Sequence, residues 1–329
     1  MHRRADARAT LADLYAPIAA DLSRCEAAFD AELAGDLPFI GELCDTVRTY
    51  RGKMLRPALL LLSAKATGAV TPEHHALAAV VEMVHVATLV HDDVLDEAQE
   101  RRRQPTIRAI AGNVAAVLLG DYLISHAFHL CSSLQSQYAS RLIGATTNRV
   151  CEGELLQNQQ AGQEHFSESA YFDVIRRKTG ALTATACELG ARFAGAEDQI
   201  TGRMRDYGLA AGVAFQIVDD VLDIVGDEGE VGKTLGLDFM LGKATLPVIH
   251  CLQAGGANAE AVRAALAGRD GCPPDHLRDR LAESGSIDYA MATATDYVST
   301  ALGRLEPLPP SPAKSSLTSL AEFIVRRRS

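Results

Sequence analysis

Six aspartates in two identical pentapeptides carry the clearest chemistry in the chain. DDVLD occupies residues 92–96 within LVHDDVLDEA and residues 219–223 within QIVDDVLDIV. On a helix, positions i, i+1 and i+4 stand at about 0°, 100° and 40° around the axis. Asp92, Asp93 and Asp96 therefore form one acidic patch, and Asp219, Asp220 and Asp223 form a second. Helical aspartates usually line a solvated face, but Val90, Val94 and Leu95 flank the first set here, and Ile217, Val218, Val221 and Leu222 flank the second. Asp is a mediocre helix former, and like charges at i, i+4 repel by roughly a few tenths of a kcal/mol even when exposed. Half-buried, such triplets need cations. Oxygen donors without cysteine select Mg²⁺, with Mn²⁺ as the substitute, over Zn²⁺. Carboxylates on rigid helices leave coordination positions for water and phosphate oxygens, so two facing patches suit a diphosphate clamped through metal ions. His91, beside the first pair, reads as a packing or hydrogen-bonding residue.

A bound diphosphate calls for bases nearby, and the chain supplies them. Arg101, Arg102 and Arg103 trail the first patch; Lys233 and Lys243 follow the second; Lys178 lies in RRKTG. RGKMLRP (51–57) puts Lys53 and Arg56 at a helix start, where backbone N–H groups also favour anions. In a chain of net charge −10, this clustering points to two anionic sites, one bridged by metal and one made of bases alone.

The same acidity disfavours non-specific binding to nucleic acid or an anionic membrane. The seven cysteines form no CxxC pair and read as buried thiols. The N-terminus lacks an apolar signal core, and the most apolar run, 76–90, is short and interrupted by Glu82 and His85. The expectation is a soluble cytoplasmic chain without a transmembrane segment. Ala and Leu dominate, aromatics are 5% and Trp is absent, which favours helices. Helical periodicity recurs over 10–33, 53–67, 73–98, 113–136, 138–162, 168–195, 197–226, 243–254, 258–267, 275–284, 287–304 and 313–328. Pro72 suits a first turn, 226–236 reads as a Gly-rich loop, and LEPLPPSP ends the penultimate helix. The expected fold is a single all-α domain over 1–329, with the 76–90 helix buried at its centre.

These motifs together resemble the trans-isoprenyl diphosphate synthase, or polyprenyl synthetase, family. LVHDDVLDEAQERRRQPT is similar to its first aspartate-rich motif, FQIVDDVLDIVGDEGEVGKTLGLDFMLGKATLP to its second, and RGKMLRP to its GGKRxRP element. LLGDYLIS (118–125), CEGELLQ (151–157) and Lys178-Thr179 also fit, so the resemblance spans roughly residues 50–250. It implies an antiparallel helix bundle around one deep cavity, commonly a homodimer. It implies Mg²⁺ ligation by Asp92, Asp96 and Asp219, with Asp93, Asp220 and Asp223 completing the metal cluster. Arg101, Lys178, Lys233 and Lys243 resemble contacts to the allylic diphosphate, and Lys53, Arg56, His85 and Arg102 the pocket for isopentenyl diphosphate. Thr179 and Gln216 resemble residues lining the reacting centre. Two departures stand out: Arg51 and Arg103 occupy positions where the family usually has Gly.

The implied reaction is ionisation of an allylic diphosphate, attack by the isopentenyl double bond and loss of a proton to the departing diphosphate. No Ser nucleophile or His–Asp dyad is needed. Chain length in this family follows residue size one turn before the first motif, and Ala87 and Thr88 are small, as are Val84 and Val81. Small residues there also suit helix packing alone. In the family's light the expected product is all-trans, C30–C40, with Phe128 and Ile143 as candidates for the tunnel floor. The competing readings are a short-chain C15–C20 synthase and one subunit of a heteromeric synthase. A terpene cyclase is disfavoured by two complete DDxxD runs. Arg326–Arg328 could cover the isopentenyl pocket or be solvated.

Overall fold

The computed structural model describes residues 10–34, 37–161, 167–226, 236–266 and 274–327. Helices α1 (Leu11–Tyr15) and α2 (Ala19–Glu32) replace the single helix expected over 10–33. Pro17 lies in the 3₁₀ turn Ala16–Ile18 between them and offers no N–H for a continuous ladder. Next comes α3 (Pro38–Tyr50), in a stretch the periodicity left unassigned. Leu43, Cys44, Val47 and Tyr50 form its buried stripe, and Pro38 opens it.

At the centre lie α4 (Leu55–Thr67) and α5 (Pro72–Leu95). Leu59 to Leu62 are buried, as are Leu77 to Val84, so both helices are covered nearly all round. Thr71 caps α5, and His74 completes a capping box: its Nδ1 accepts the Thr71 N–H, leaving Nε2–H to donate to the Gly190 carbonyl at 3.0 Å. α5 ends at Leu95, three residues earlier than expected, so Asp96 is its C-cap.

A two-residue hairpin, β1 (Glu100–Arg101) and β2 (Gln104–Pro105), leads into α6 (Ile107–Ser133) and α7 (Gln137–Gln160). The segment expected as one helix over 168–195 is three: α8 (Glu168–Ile175), a π turn over Arg176–Gly180, and α9 (Ala181–Phe193). α10 (Asp198–Val225) carries the second aspartate motif in its last two turns. A short α11 (Leu237–Met240) follows, then α12 (Leu246–Ala254), α13 (Gly256–Leu266), α14 (Pro274–Glu283), α15 (Ser286–Leu305) and α16 (Pro312–Arg326). The fold is an all-α bundle. α5 packs on α6, α2, α4 and α9, while α10 packs on α9, α15 and α16. A smaller cluster of Ile224, Val248, Cys251, Val262, Leu277 and Leu281 fastens α12–α14 to the end of α10.

Among the described residues, Cys25, Cys44, Cys131, Cys187 and Cys251 are buried free thiols and Cys151 is an exposed one. α6, which the sequence reading did not weigh, is by length and composition apolar enough to cross a membrane; 28% of its most apolar stretch is buried in the bundle.

Gly190 sets the spacing of α4 and α9. A Cβ there would lie 2.2 Å from the Leu60 carbonyl oxygen and 2.9 Å from Ser63 Cβ. Gly190→Ala is therefore expected to destabilise the chain by about 1–3 kcal/mol through overpacking, read as a Tm lowered by several degrees. An unchanged Tm would mean that these helices have room to separate.

Candidate active site

Both aspartate motifs sit at the C-terminal ends of long helices, where unpaired carbonyls already concentrate negative charge. Carboxylates there are disfavoured by roughly 0.3–1 kcal/mol each before they repel one another. The chain answers with bases brought from other elements. Lys243 donates to Asp96 Oδ1 at 2.8 Å and lies 4.0 Å from Asp238. The Asp238 N–H in turn points to Asp223 Oδ2 at 3.4 Å. Lys178 lies 4.0 Å from Asp92, pairs with Glu154 and donates to Gln157 Oε1 at 2.9 Å. The next residue, Thr179, donates to Gln216 Oε1 at 2.7 Å, and Gln216 Nε2 donates to Asp220 Oδ1 at 2.8 Å. Two chains of contact thus join the first motif to the second across one site.

The three aspartates of each motif differ in surroundings. Asp93 is 1% exposed: Arg101 grips its Oδ1 through Nε at 2.9 Å and NH2 at 2.8 Å, and the Tyr50 hydroxyl donates to Oδ2 at 2.7 Å. Asp220, 5% exposed, receives the Tyr171 hydroxyl on Oδ2 at 2.7 Å and Gln216 on Oδ1. Burial, with Asp238 adding to it, holds the Asp220 carboxyl well above the usual carboxylate range, although Tyr171 and Gln216 oppose the shift. Both oxygens of these two inner aspartates are engaged by protein, whereas Asp92, Asp96 and Asp219 remain open on one side. Burial pushes Asp92 up to about 6; Lys178 opposes this, while Glu154 and Asp96 reinforce it. Lys178 shows the converse: burial pulls it down, but Asp92 and Glu154 outweigh burial and hold it above its ordinary value. An all-oxygen donor set whose nearest carboxylate is only partly compensated by protein charge fits a hard divalent cation.

The second group of bases gathers beside the first. Arg102 donates from NH1 to the Tyr50 carbonyl at 2.9 Å and passes over Gly52, where a Cβ would lie 2.1 Å from that nitrogen. Burial lowers Arg56, whose Nε has no hydrogen-bond partner, and partial burial with Arg327 and Arg102 lowers Lys53. His85 is held neutral, its pKa driven well down by burial and by Arg56, Arg101 and Arg102. Lys53, Arg56, His85 and Arg102 are thus neighbours. Met54, between the first two, adopts φ 48°, a left-handed strain of the kind that collects at functional sites.

Several contributors carry no sign of their role in the sequence, and one more, Arg327, belongs to the run 326–328 for which covering the isopentenyl pocket was one of two expectations. Tyr50 and Tyr171 carry no motif signal. Glu154 and Gln157 lie in CEGELLQ (151–157), whose pattern alone assigns them no role. Glu82 is buried beside Arg56, Arg102 and Arg51, and burial raises it to about 7 against those arginines. Arg327 reaches Asp219 Oδ1 at 3.2 Å and the Phe215 carbonyl at 2.9 Å, with its guanidinium 3.9 Å from the Phe215 ring. The 326–328 run divides between its two expectations: Arg327, with Ile324, lines an apolar pocket together with Lys53, Arg56, Thr179 and Phe215, whereas Arg326 is 72% exposed and pairs with Glu322 at 3.2 Å.

Arg51 is not a free charge beside that pocket. It pairs with Asp30 at 3.1 Å and lies over Phe29. Arg103 has φ 63° at the hairpin tip, the conformation for which the family's Gly is suited. Ala87 is fully buried in the core, and Thr88, half-buried, turns its hydroxyl to the His85 carbonyl at 2.7 Å. His91 Nε2 lies 3.1 Å from the Val117 carbonyl. Lys233 and Arg328 lie outside the described residues.

The family described as polyprenyl synthetase matches residues 38–281. The octaprenyl diphosphate synthase of Escherichia coli (strain K12) is 33% identical over 314 residues, covering 94% of this chain and 96% of that one. The geranyl-diphosphate-specific all-trans-nonaprenyl-diphosphate synthase of Rhodobacter capsulatus is 35% identical over 317 residues, covering 96% and 97%. Among solved structures, a polyprenyl synthase from Caulobacter crescentus CB15 complexed with calcium and isoprenyl diphosphate superposes with TM-score 0.92 at 33% identity, covering all of both chains.

The phenol donors to the inner aspartates give a direct test. Tyr50→Phe and Tyr171→Phe are each expected to raise about 10–100-fold the Mg²⁺ concentration needed for half-maximal diphosphate binding, as lost ligand-supporting contacts do, with helical content retained. Wild-type Mg²⁺ requirement in both variants would show that Asp93 and Asp220 keep their orientation without the tyrosines.

Proposed function

The chain belongs to the polyprenyl synthetase family, and we propose that it extends an allylic diphosphate, farnesyl or geranylgeranyl, with isopentenyl diphosphate to an all-trans product of C30–C40. It is a prenyltransferase of the polyprenyl diphosphate synthase kind. The observation carrying the substrate reading is the joining of two acidic helix ends across one site, with a separate pocket of bases alongside.

Asp92, Asp96 and Asp219 would hold the Mg²⁺ ions, and Asp93, Asp220 and Asp223 would keep them in register. When bound, Mg²⁺ neutralises charge on the departing diphosphate. Lys178 and Lys243, released from their carboxylate partners, take phosphate oxygens of the allylic substrate; Arg101 and Lys233 add to that grip. Lys53, Arg56 and Arg102 take the isopentenyl diphosphate without metal, and neutral His85 supplies a hydrogen bond. Fixed donors aimed at developing charge are the largest contribution expected in such a reaction. Thr179 and Gln216, hydrogen-bonded to each other, would line the centre where the new C–C bond forms. The apolar surroundings exclude water from the allylic cation. A proton would leave after bond formation, with the released diphosphate as its acceptor.

The chain would work as one domain in the cytoplasm and as a homodimer. Support for the dimer is a row of exposed apolar residues on α6, Ile110, Val114, Val117 and Leu118, between 42% and 75% exposed. A contiguous apolar face of this kind is suited to a two-fold partner copy. The opposite side of α6, with Leu119, Leu123 and Ala127, is buried in the bundle, which favours a protein partner over lipid all round.

Incubation with isopentenyl diphosphate, farnesyl diphosphate and Mg²⁺ is expected to give C30–C40 products. A C15–C20 product would replace this reading with the short-chain one, and binding without elongation would point to a heteromeric subunit. Asp92→Ala is expected to lower turnover by about 10²–10³-fold, the scale of losing one electrostatic stabiliser; near-normal turnover would remove Asp92 from the metal site. Thr88→Phe combined with Ala87→Tyr is expected to shorten the product, and an unchanged length would take chain-length control away from this turn of α5.

A further inference from the structure

Outside the aspartate site, two histidines and a glutamate converge. Glu32 is the last residue of α2, and His126 and His129 stand one turn apart on α6. Nδ1 of His126 lies 3.0 Å from Glu32 Oε1, and Nδ1 of His129 lies 2.7 Å from the same oxygen. One ligand atom from each residue fits within a sphere of mutual separations no larger than 4.8 Å. Ligand atoms around a tetrahedral ion with bonds of about 2.0–2.1 Å stand roughly 3.3 Å apart, so small rotamer shifts would place all three around one centre.

The setting suits an ion better than a plain hydrogen-bonded tie. A tie between α2 and α6 needs one histidine; here two imidazoles aim the same nitrogen at the same oxygen. Glu32 is 13% exposed and His126 27%, whereas His129 is 75% exposed, so the cluster is walled on one side and open to solvent on the other. The His126 ring packs on Tyr122, with centroids 4.2 Å apart, which limits its rotation.

We propose that Glu32, His126 and His129 form a site for one Zn²⁺-class divalent ion, completed by water, that fastens the end of α2 to α6. Two imidazoles and a carboxylate select borderline first-row ions over the hard Mg²⁺ that suits the aspartates. Each imidazole binds through a deprotonated Nδ1, whose lone pair goes to the ion while the ring proton sits on Nε2; any further proton passes to solvent. No redox partner is involved. The site would act on helix docking, and the prenyl-transfer chemistry would not depend on it.

The test is calorimetric titration of ZnCl₂ into the full chain in excess Mg²⁺, paired with thermal unfolding. One equivalent is expected to bind and to raise Tm. The double variant His126→Ala/His129→Ala should lose both effects while keeping wild-type Mg²⁺-dependent turnover. Glu32→Gln, which keeps a hydrogen-bond acceptor for the histidines, should weaken binding at least about tenfold. Absence of Zn²⁺ binding by the wild-type chain overturns the proposal, as does equal binding by the double variant, which would place the ion on the aspartates. A Glu32→Gln chain that melts lower in EDTA while Zn²⁺ leaves the wild-type Tm unmoved would show a hydrogen-bonded tie alone.

Discussion

Negative charge crowded at two helix ends is the constraint around which the rest of this bundle is arranged. α5 and α10 each deliver a carboxylate triplet to their C-terminal turns, where the backbone carbonyls are already unpaired. Neither end could be buried against apolar neighbours without compensation. The chain compensates from a distance in sequence: Lys178 from the π turn, Lys243 from beyond α11, Arg101 from the hairpin and Arg327 from the end of α16. Each is a counter-charge for an aspartate. On the proposed reading, Lys178, Lys243 and Arg101 would also be the cations that an arriving diphosphate claims.

The π turn shows how local backbone serves that arrangement. A π bulge shifts side chains relative to an uninterrupted helix and is frequent at functional sites. Here it lets consecutive residues, Lys178 and Thr179, address different motifs, one reaching Asp92 and the other Gln216. α7 has to approach the bulge closely. Gly153 permits this, since a Cβ there would lie 2.6 Å from the Lys178 nitrogen. CEGELLQ thus contributes through the absence of a side chain at Gly153 as well as through Glu154 and Gln157.

What the sequence made legible and what it hid follow different physics. The long helices were readable because apolar period and caps agree, as at Thr71-Pro72 opening α5. The shorter α12, α13 and α14 were readable too, but others were not: Pro17 divides α1 from α2, and α3, beginning at Pro38, escaped because Pro and Gly punctuate the stretch before and within it. The charged groups of the site were legible as clusters, since burial of many like charges is anomalous in itself. Tyr50 and Tyr171 were illegible because one buried tyrosine looks like any other until its hydroxyl is seen to meet Asp93 or Asp220. Arg51 and Arg103 show the same limit from the other side: the sequence displays them as charges in place of Gly, and only the structure pairs one with Asp30 and sets the other at a positive-φ turn position.

The two anionic sites differ in kind because their helix geometry differs. Lys53 and Arg56 belong to the start of α4, where free N–H groups already attract anions, so bases alone can complete a phosphate pocket there. Asp92 and Asp219 belong to helix ends that repel anions, so a second phosphate can approach only if cations intervene. On the proposed reading, one diphosphate would be bound through metal and the other without it. Metal charge would then be concentrated on the substrate whose leaving group must depart, while fixed bases would hold the partner that keeps its diphosphate. Helix polarity, set by which end of which helix faces the site, favours that division of roles.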